Sequence, residues 1–206
     1  MSKPDETGRG RSGVSRRAFL KGSGAAAAAT AMTGAPGLQA EAQGAEPVAG
    51  LTTITLTVNG KAHKVEVEPR TTLLEALRMG LNLTGAKPIS VDGSSGGSLV
   101  LVDDKPTSAN TVLAMDMVGK KIVTVESLIS GDKVDAVPMA FVHHDASQCG
   151  FCTPGFVIAV KAFLAKNPKA TEAEIRAGLN GNLCRCGTYA NIIPAVLEVV
   201  KGGGNG

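Results

Sequence analysis

The 206-residue chain has no tryptophan, one tyrosine and five phenylalanines, so aromatic residues make up 3% of it. Stacking of bases on aromatic platforms is excluded as a main activity. The core must be built from Val, Leu, Ile, Ala and Met, and a hydrophobic content of 43% is enough for one. Charge of one sign is also missing where it would matter. The formal net charge is +3, but residues 1–42 carry six Lys/Arg against three Asp/Glu, which leaves fifteen of each in residues 43–206. A balanced body offers no basic face for nucleic acid. No apolar run is long enough and rich enough in Leu and Ile to span a membrane. Nucleophile triads, glycosidase-type carboxylate pairs and the G-x4-G-K phosphate loop are absent too. The six methionines are scattered and read as core filler.

The N-terminus contains Ser15-Arg16-Arg17-Ala18-Phe19-Leu20-Lys21, an Ala-rich run from Gly22 to Ala31, and small residues at Ala40-Glu41-Ala42. The Arg16-Arg17 pair in this setting reads as a twin-arginine export signal over residues 1–42. It implies a periplasmic protein exported already folded. Residues 43–50 form a linker.

From residue 51 the pattern is first that of strands. Ile54, Leu56 and Val58 alternate with polar residues, Asn59-Gly60 follows, and a second alternation runs from Ala62 to Val67. This is a hairpin signature. Thr72 to Met79 reads as a helix with Leu73, Leu74 and Leu77 inward and Gly80 as its stop. Leu99 to Val102 reads as a core strand, and Thr111 to Met117 and Ile122 to Val125 complete a small mixed sheet. A hairpin, a helix and further strands predict a β-grasp-like α+β domain over 51–130. Residues 131–137 are a polar hinge. Residues 138–201 then carry helical spacing in four segments: Met139 to His144, Pro154 to Lys166, one opened by the Thr171-Glu172-Ala173-Glu174 capping box, and Tyr189 to Lys201. Residues 202–206 are a tail.

All four cysteines lie in the helical part, as Cys149-x-x-Cys152 and Cys184-x-Cys186, each pair ahead of a helix. Backbone N–H groups at helix N-termini favour an anionic centre and lower thiol pKa values. Four thiolates suit an iron–sulfur cluster or structural zinc, and spacing leaves both open beside a pair of disulfides. His143-His144 could suggest a metal pair. Adjacent residues on a helix face different ways, so a structural or capping role is expected.

The stretches HDASQCGFCTPGFVIA (144–159) and NGNLCRCGTYANIIPAV (180–196) resemble the iron–sulfur small subunits of the xanthine dehydrogenase/aldehyde oxidase family of molybdenum hydroxylases, with weaker support from 51–78, 81–87 and 123–128. The resemblance implies an α+β chain with an N-terminal β-grasp ferredoxin-like domain and a C-terminal four-helix [2Fe–2S]-binding domain. It implies a [2Fe–2S] cluster on Cys149, Cys152, Cys184 and Cys186. It places Gln148 near the molybdopterin cofactor of a separate large subunit, and puts no substrate chemistry on this chain.

The family's second cluster sits in a plant-type cysteine loop, and here the sequence departs from it. Ser90, Ser95 and Ser98 occupy the three loop positions and Asn110 falls where the fourth ligand would be. Hydroxyls are hard, high-pKa donors poorly matched to these irons. One cluster is therefore expected, where the resemblance alone would give two. The expected role is electron transfer in a periplasmic oxidoreductase complex that oxidises an aldehyde or N-heterocycle, with a c-type cytochrome as a candidate acceptor. The alternative is a docking subunit whose four-cysteine site, iron–sulfur or zinc, serves stability.

Overall fold

A computed structural model describes residues 49–202. The export signal, the linker up to residue 48 and the tail from residue 203 lie outside the described residues. Within them the chain is a mixed helix-and-sheet structure.

Strands β1 (Thr52–Val58) and β2 (Lys61–Val67) form the expected antiparallel hairpin. Asn59 and Gly60 turn it with φ of 51° and 77°, the left-handed pair that a two-residue hairpin of this twist requires. Asn59 does more than turn the chain. Its side chain donates to the Thr124 hydroxyl and accepts from the Thr124 N–H, both at 2.9 Å, and its own N–H donates to the Ile122 carbonyl at 2.8 Å. The hairpin is thereby tied to the strand Lys121–Val123 and the residue after it.

Thr72 caps the next helix with a capping box to Glu75. The expected single helix is instead α1 (Leu73–Glu75) continued by a π turn at Ala76–Gly80. Leu73, Leu74, Ala76 and Leu77 are buried against the sheet. β3 (Leu99–Val102) follows and pairs with β4 (Lys105–Ser108) through a turn with Asp103 and Asp104 at φ of 48° and 62°. β4 carries no sequence signature of a strand because it is short, polar and holds Pro106. It lies at the sheet edge, where a proline is tolerated. Thr111 to Met117 is not a strand. Its backbone instead serves the α1 region: the Leu73 N–H donates to Val112 and the Ala114 N–H to Thr71, both at 2.9 Å, ahead of a 3-10 turn at Met115–Met117. β5 is Lys121–Val123, and the sheet order is β2-β1-β5-β3-β4, with β1 and β5 parallel.

The segment read as a hinge over 131–137 holds a turn at Gly131, the strand Lys133–Val134 and the start of a helix. β6 (Ile129–Ser130) and β7 (Lys133–Val134) pair across that turn. Asp135 caps α2 (Ala136–His143), accepting from the Val137 N–H at 3.1 Å, and also pairs with Lys161. The remaining helices are α3 (Thr153–Lys166), α4 (Glu172–Gly178) and α5 (Tyr189–Lys201). Pro194 is the sixth residue of α5, in its second turn. The Ala190 carbonyl it leaves without a donor is on an exposed residue, which limits the cost.

Two apolar clusters result. One joins the inner sheet face to α1 and contains Leu56, Val58, Leu77, Val100 and Val102. The other is helical, around Phe156, Ile158, Ile175 and Ile192, and takes Leu101 from the sheet, with Leu99 packed against it. β3 is thus covered on both faces. That explains its unbroken apolar sequence, since a strand alternating into two cores has no polar side.

Candidate metal centre

Cys149 and Cys152 sit in the loop between α2 and α3. The loop leaves α2 through Asp145 at φ 50°, a left-handed turn held by the Asn191 side chain, which donates to the His144 and Asp145 carbonyls at 3.0 and 3.1 Å. Gly150, at φ 75°, makes the tight bend between the two cysteines, and Ser147 and Thr153 close the loop hydroxyl to hydroxyl at 3.0 Å. Cys152 is buried at the N-cap of α3, and Pro154 starts that helix.

Cys184 and Cys186 precede α5. The Tyr189 phenol is inserted into their loop: its oxygen accepts from the Cys184 N–H at 2.7 Å and its hydroxyl donates to the Asn182 carbonyl at 3.2 Å. The Tyr189 ring stands edge-on to Phe156 at 5.8 Å, which locks the phenol against α3. Thr188 brings its hydroxyl to 3.0 Å from the Cys184 sulfur.

The folded chain brings all four thiols together at two helix N-termini. Cys152 and Cys184 lie close enough to affect each other's ionisation, and so do Cys149 and Cys186. Burial pushes the Cys152 thiol up to about 12, helped by the Cys184 hydrogen bond and the charges of Cys184 and Cys149. Burial opposes ionisation of Cys184 as well, but hydrogen bonds from the Thr188 hydroxyl and backbone outweigh it and bring that thiol down to about 7. Cys186 is raised overall. A backbone hydrogen bond from Cys149 works against the shift, and the Cys149 thiol, burial and the neighbouring thiolate charges overcome it. Thiolates crowded this way repel one another, and a cationic centre between them reverses that penalty. The donor set is all sulfur, and Cys152 sits at the N-cap of α3, where the helix dipole favours an anionic centre. A donor set of four cysteines suits a two-iron cluster and also structural zinc.

Gln148 is exposed beside Cys149, and Phe151 and Leu183 are exposed next to cysteines on either side. Lys87 lies over the Phe151 ring at 5.9 Å. The two histidines converge despite being adjacent. His143 meets one oxygen of Glu198 at 2.9 Å through Nδ1 and His144 meets the other at 2.7 Å through Nε2. His144 is already past the end of α2, at φ −98° and ψ 8°, which frees it from helical geometry. The pair ties α2 to α5. Glu198, more than fifty residues away, carried no signal in the sequence.

Ser90, Ser95, Ser98 and Asn110 are also brought together. Ser90 and Ser95 pair hydroxyl to hydroxyl at 2.8 Å, and the Ser95 N–H donates to Ser90 Oγ at 3.1 Å. Asn110 Nδ2 donates to the Ser90 and Val91 carbonyls at 2.6 and 2.8 Å, while its Oδ1 accepts from Ser98. Ser108, not anticipated, joins Ser98 at 3.2 Å. Ser95 and Ser98 are buried. These polar groups satisfy one another, as buried hydroxyls must.

A sequence profile described as "[2Fe-2S] binding domain" matches residues 124–197, and a second, for the twin-arginine translocation signal, matches residues 13–33. The aldehyde oxidoreductase iron–sulfur-binding subunit of Escherichia coli O157:H7 is 38% identical over 198 residues, covering 89% of this chain and 86% of its own. The xanthine dehydrogenase iron–sulfur-binding subunit of the same organism is 40% identical over 151 residues, covering 72% of this chain and 94% of its own. Among solved structures, quinoline 2-oxidoreductase from Pseudomonas putida 86 is similar at a TM-score of 0.69 and 40% identity, over 74% of this chain and 98% of that one. The chain carries a twin-arginine signal and is exported to the periplasm. No helix among the described residues is long and apolar enough to cross a membrane.

Proposed function

The chain belongs to the iron–sulfur subunits of the xanthine dehydrogenase/aldehyde oxidoreductase family of molybdenum hydroxylases, and on that premise we propose that it is a single-cluster electron-transfer subunit. Cys149, Cys152, Cys184 and Cys186 hold one [2Fe–2S] cluster in a helical domain over 138–201. The β-grasp ferredoxin-like domain over 51–130 holds none. The observation that carries this reading is the contrast between the two loops. The four cysteines lie in two loops that lead into α3 and α5, whereas Ser90, Ser95, Ser98 and Asn110 spend their hydrogen-bonding capacity on each other.

Bound there, the cluster supplies one-electron acceptance and release. The chain's own residues do the rest. Cys152 and Tyr189 anchor the two loops to α3 and α5, and the Thr188 hydroxyl stabilises the Cys184 thiolate. Gln148 lies beside Cys149 on the exposed side, where it would face the molybdopterin of a large subunit, and the exposed Phe151 and Leu183 suit a covered face. That large subunit would oxidise an aldehyde or an N-heterocycle, in keeping with the substrates named for its relatives. Without a second cluster the electrons leave from the helical domain, and in the periplasm a c-type cytochrome is a fitting acceptor.

The test is metal and sulfide analysis of the natively purified complex. This reading requires about two irons and two labile sulfides per chain, reducible by substrate on the turnover timescale. Twice that content, zinc in place of iron, or a cluster that substrate does not reduce would overturn it.

A further inference from the structure

The emptied loop does not stand apart from the cysteine site. Asn110 pins Ser90 and Val91 at one end of the loop and Ser98 at the other, and Ser90 pins Ser95 in between. The backbone so fixed offers two carbonyls to the segment that leads into Cys184. The Ser95 carbonyl accepts from the Leu183 N–H at 3.0 Å, and the Gly96 carbonyl accepts from Asn182 Nδ2 at 3.1 Å. Asn182 is only 5% exposed. Its own carbonyl takes the Tyr189 hydroxyl, and the Tyr189 oxygen takes the Cys184 N–H. The contact is close. Gly96 sits at φ +66°, and a Cβ there would lie 2.6 Å from the Asn182 amide and from the Gly181 carbonyl.

We propose that the Ser90–Ser95–Ser98–Asn110 knot is a positioning element for the cysteine site, because it holds the Ser95 and Gly96 carbonyls on which the Asn182–Cys184 segment rests. The inference depends on the reading that the four cysteines hold a cluster. A stretch carrying glycines at positions 93, 96 and 97 loses much conformational entropy when ordered, so it needs internal bonds to act as a platform. Groups one shell out from metal ligands fix ligand orientation and tune the centre. Here that shell is supplied by the positions that in the family would carry ligands of another cluster.

The experiment uses the mature chain in its native complex. Wild type, Asn110→Ala, Asn182→Ala, the double variant and Ser94→Ala are compared. Ser94 lies in the same loop but bonds only Asp92. The readouts are iron and sulfide content, the EPR g values and midpoint potential of the reduced cluster, and iron loss to a chelator. Asn110→Ala and Asn182→Ala should each shift the g values and potential and lose iron about tenfold more readily. The double variant should be no worse than the worse single, since both act along one path. Ser94→Ala should match wild type. An Asn110→Ala protein that melts earlier yet keeps wild-type g values and potential overturns the inference, leaving the knot a local brace. If Asn110→Ala does not fold, Ser90→Ala takes its place: shifted g values and potential support the inference, and wild-type values overturn it. A wild type without iron and sulfide refutes the underlying reading, and the inference with it, before any substitution is made.

Discussion

Gly155→Ala sets two physical effects of opposite sign against each other. Gly155 is the third residue of α3, and on helix propensity alone alanine there should stabilise by up to about 1 kcal/mol. The tertiary structure says otherwise. A Cβ at this position would lie 2.2 Å from the Gly96 carbonyl oxygen and 3.0 Å from the Gly97 Cα. The oxygen would have to retreat by about 1 Å to reach ordinary contact. Both sides of the clash are backbone, so no side chain can swing away. Forced overpacking of this kind costs about 1–3 kcal/mol, and the absence of a flexible partner argues for the upper end. The net expectation is a loss of about 2 kcal/mol. At about 2–4 °C per kcal/mol for a domain of this size, Tm falls by about 4–8 °C. Thermal unfolding of the mature protein followed by circular dichroism reads the difference directly. A Tm equal to or above wild type would refute the close packing of α3 on the loop.

Restoring the missing donors tests the loop from the other side: the quadruple variant Ser90→Cys, Ser95→Cys, Ser98→Cys and Asn110→Cys should raise the iron content about twofold, because the structure already brings these positions together, whereas any one substitution alone should leave it unchanged. Asn59→Ala should lower stability by about 2–3 kcal/mol in denaturant unfolding, since it removes two side-chain hydrogen bonds to Thr124 and puts a Cβ residue without local hydrogen bonding at φ 51°. Glu198 is held below its ordinary value of 4.5, first by the His143 hydrogen bond, with burial opposing and His144 adding. Its stabilising contribution is therefore present above 4.5 and is lost as pH falls through the lower folded value. The Tm gap between wild type and Glu198→Gln should accordingly narrow as pH is taken from 6 to 3, and a gap that widens on acidification would contradict the His–Glu–His clasp.

The cysteine site was legible in one dimension because its ligand candidates fall in two short motifs, each ahead of a helix whose apolar spacing is plain. The residues that hold those motifs in place were not legible. Tyr189 is the only tyrosine and begins α5, yet nothing local says that its phenol turns back to the Cys184 amide. Asn182 is two residues from Cys184, but its partner is a carbonyl eighty-six residues away. Helical geometry alone would point His143 and His144 apart, and they converge because the helix ends between them.

What the sequence determined by itself is what depends on near neighbours. The Asn59-Gly60 turn needs left-handed backbone at two adjacent positions, the Thr171–Glu174 capping box needs only one helical turn, and the Leu99–Val102 run declares a strand with no polar face. The replacement of thiols by Ser90, Ser95, Ser98 and Asn110 is likewise visible letter by letter. The tertiary structure decided the rest, because it depends on which distant backbone groups meet. It made an edge strand of Lys105–Ser108, bonded the Thr111–Met117 backbone to the α1 region rather than into the sheet, and set the emptied loop against Gly155 and Asn182. Buried polar groups must find partners wherever the chain brings them, and that requirement gives a loop without thiols its place beside the four cysteines.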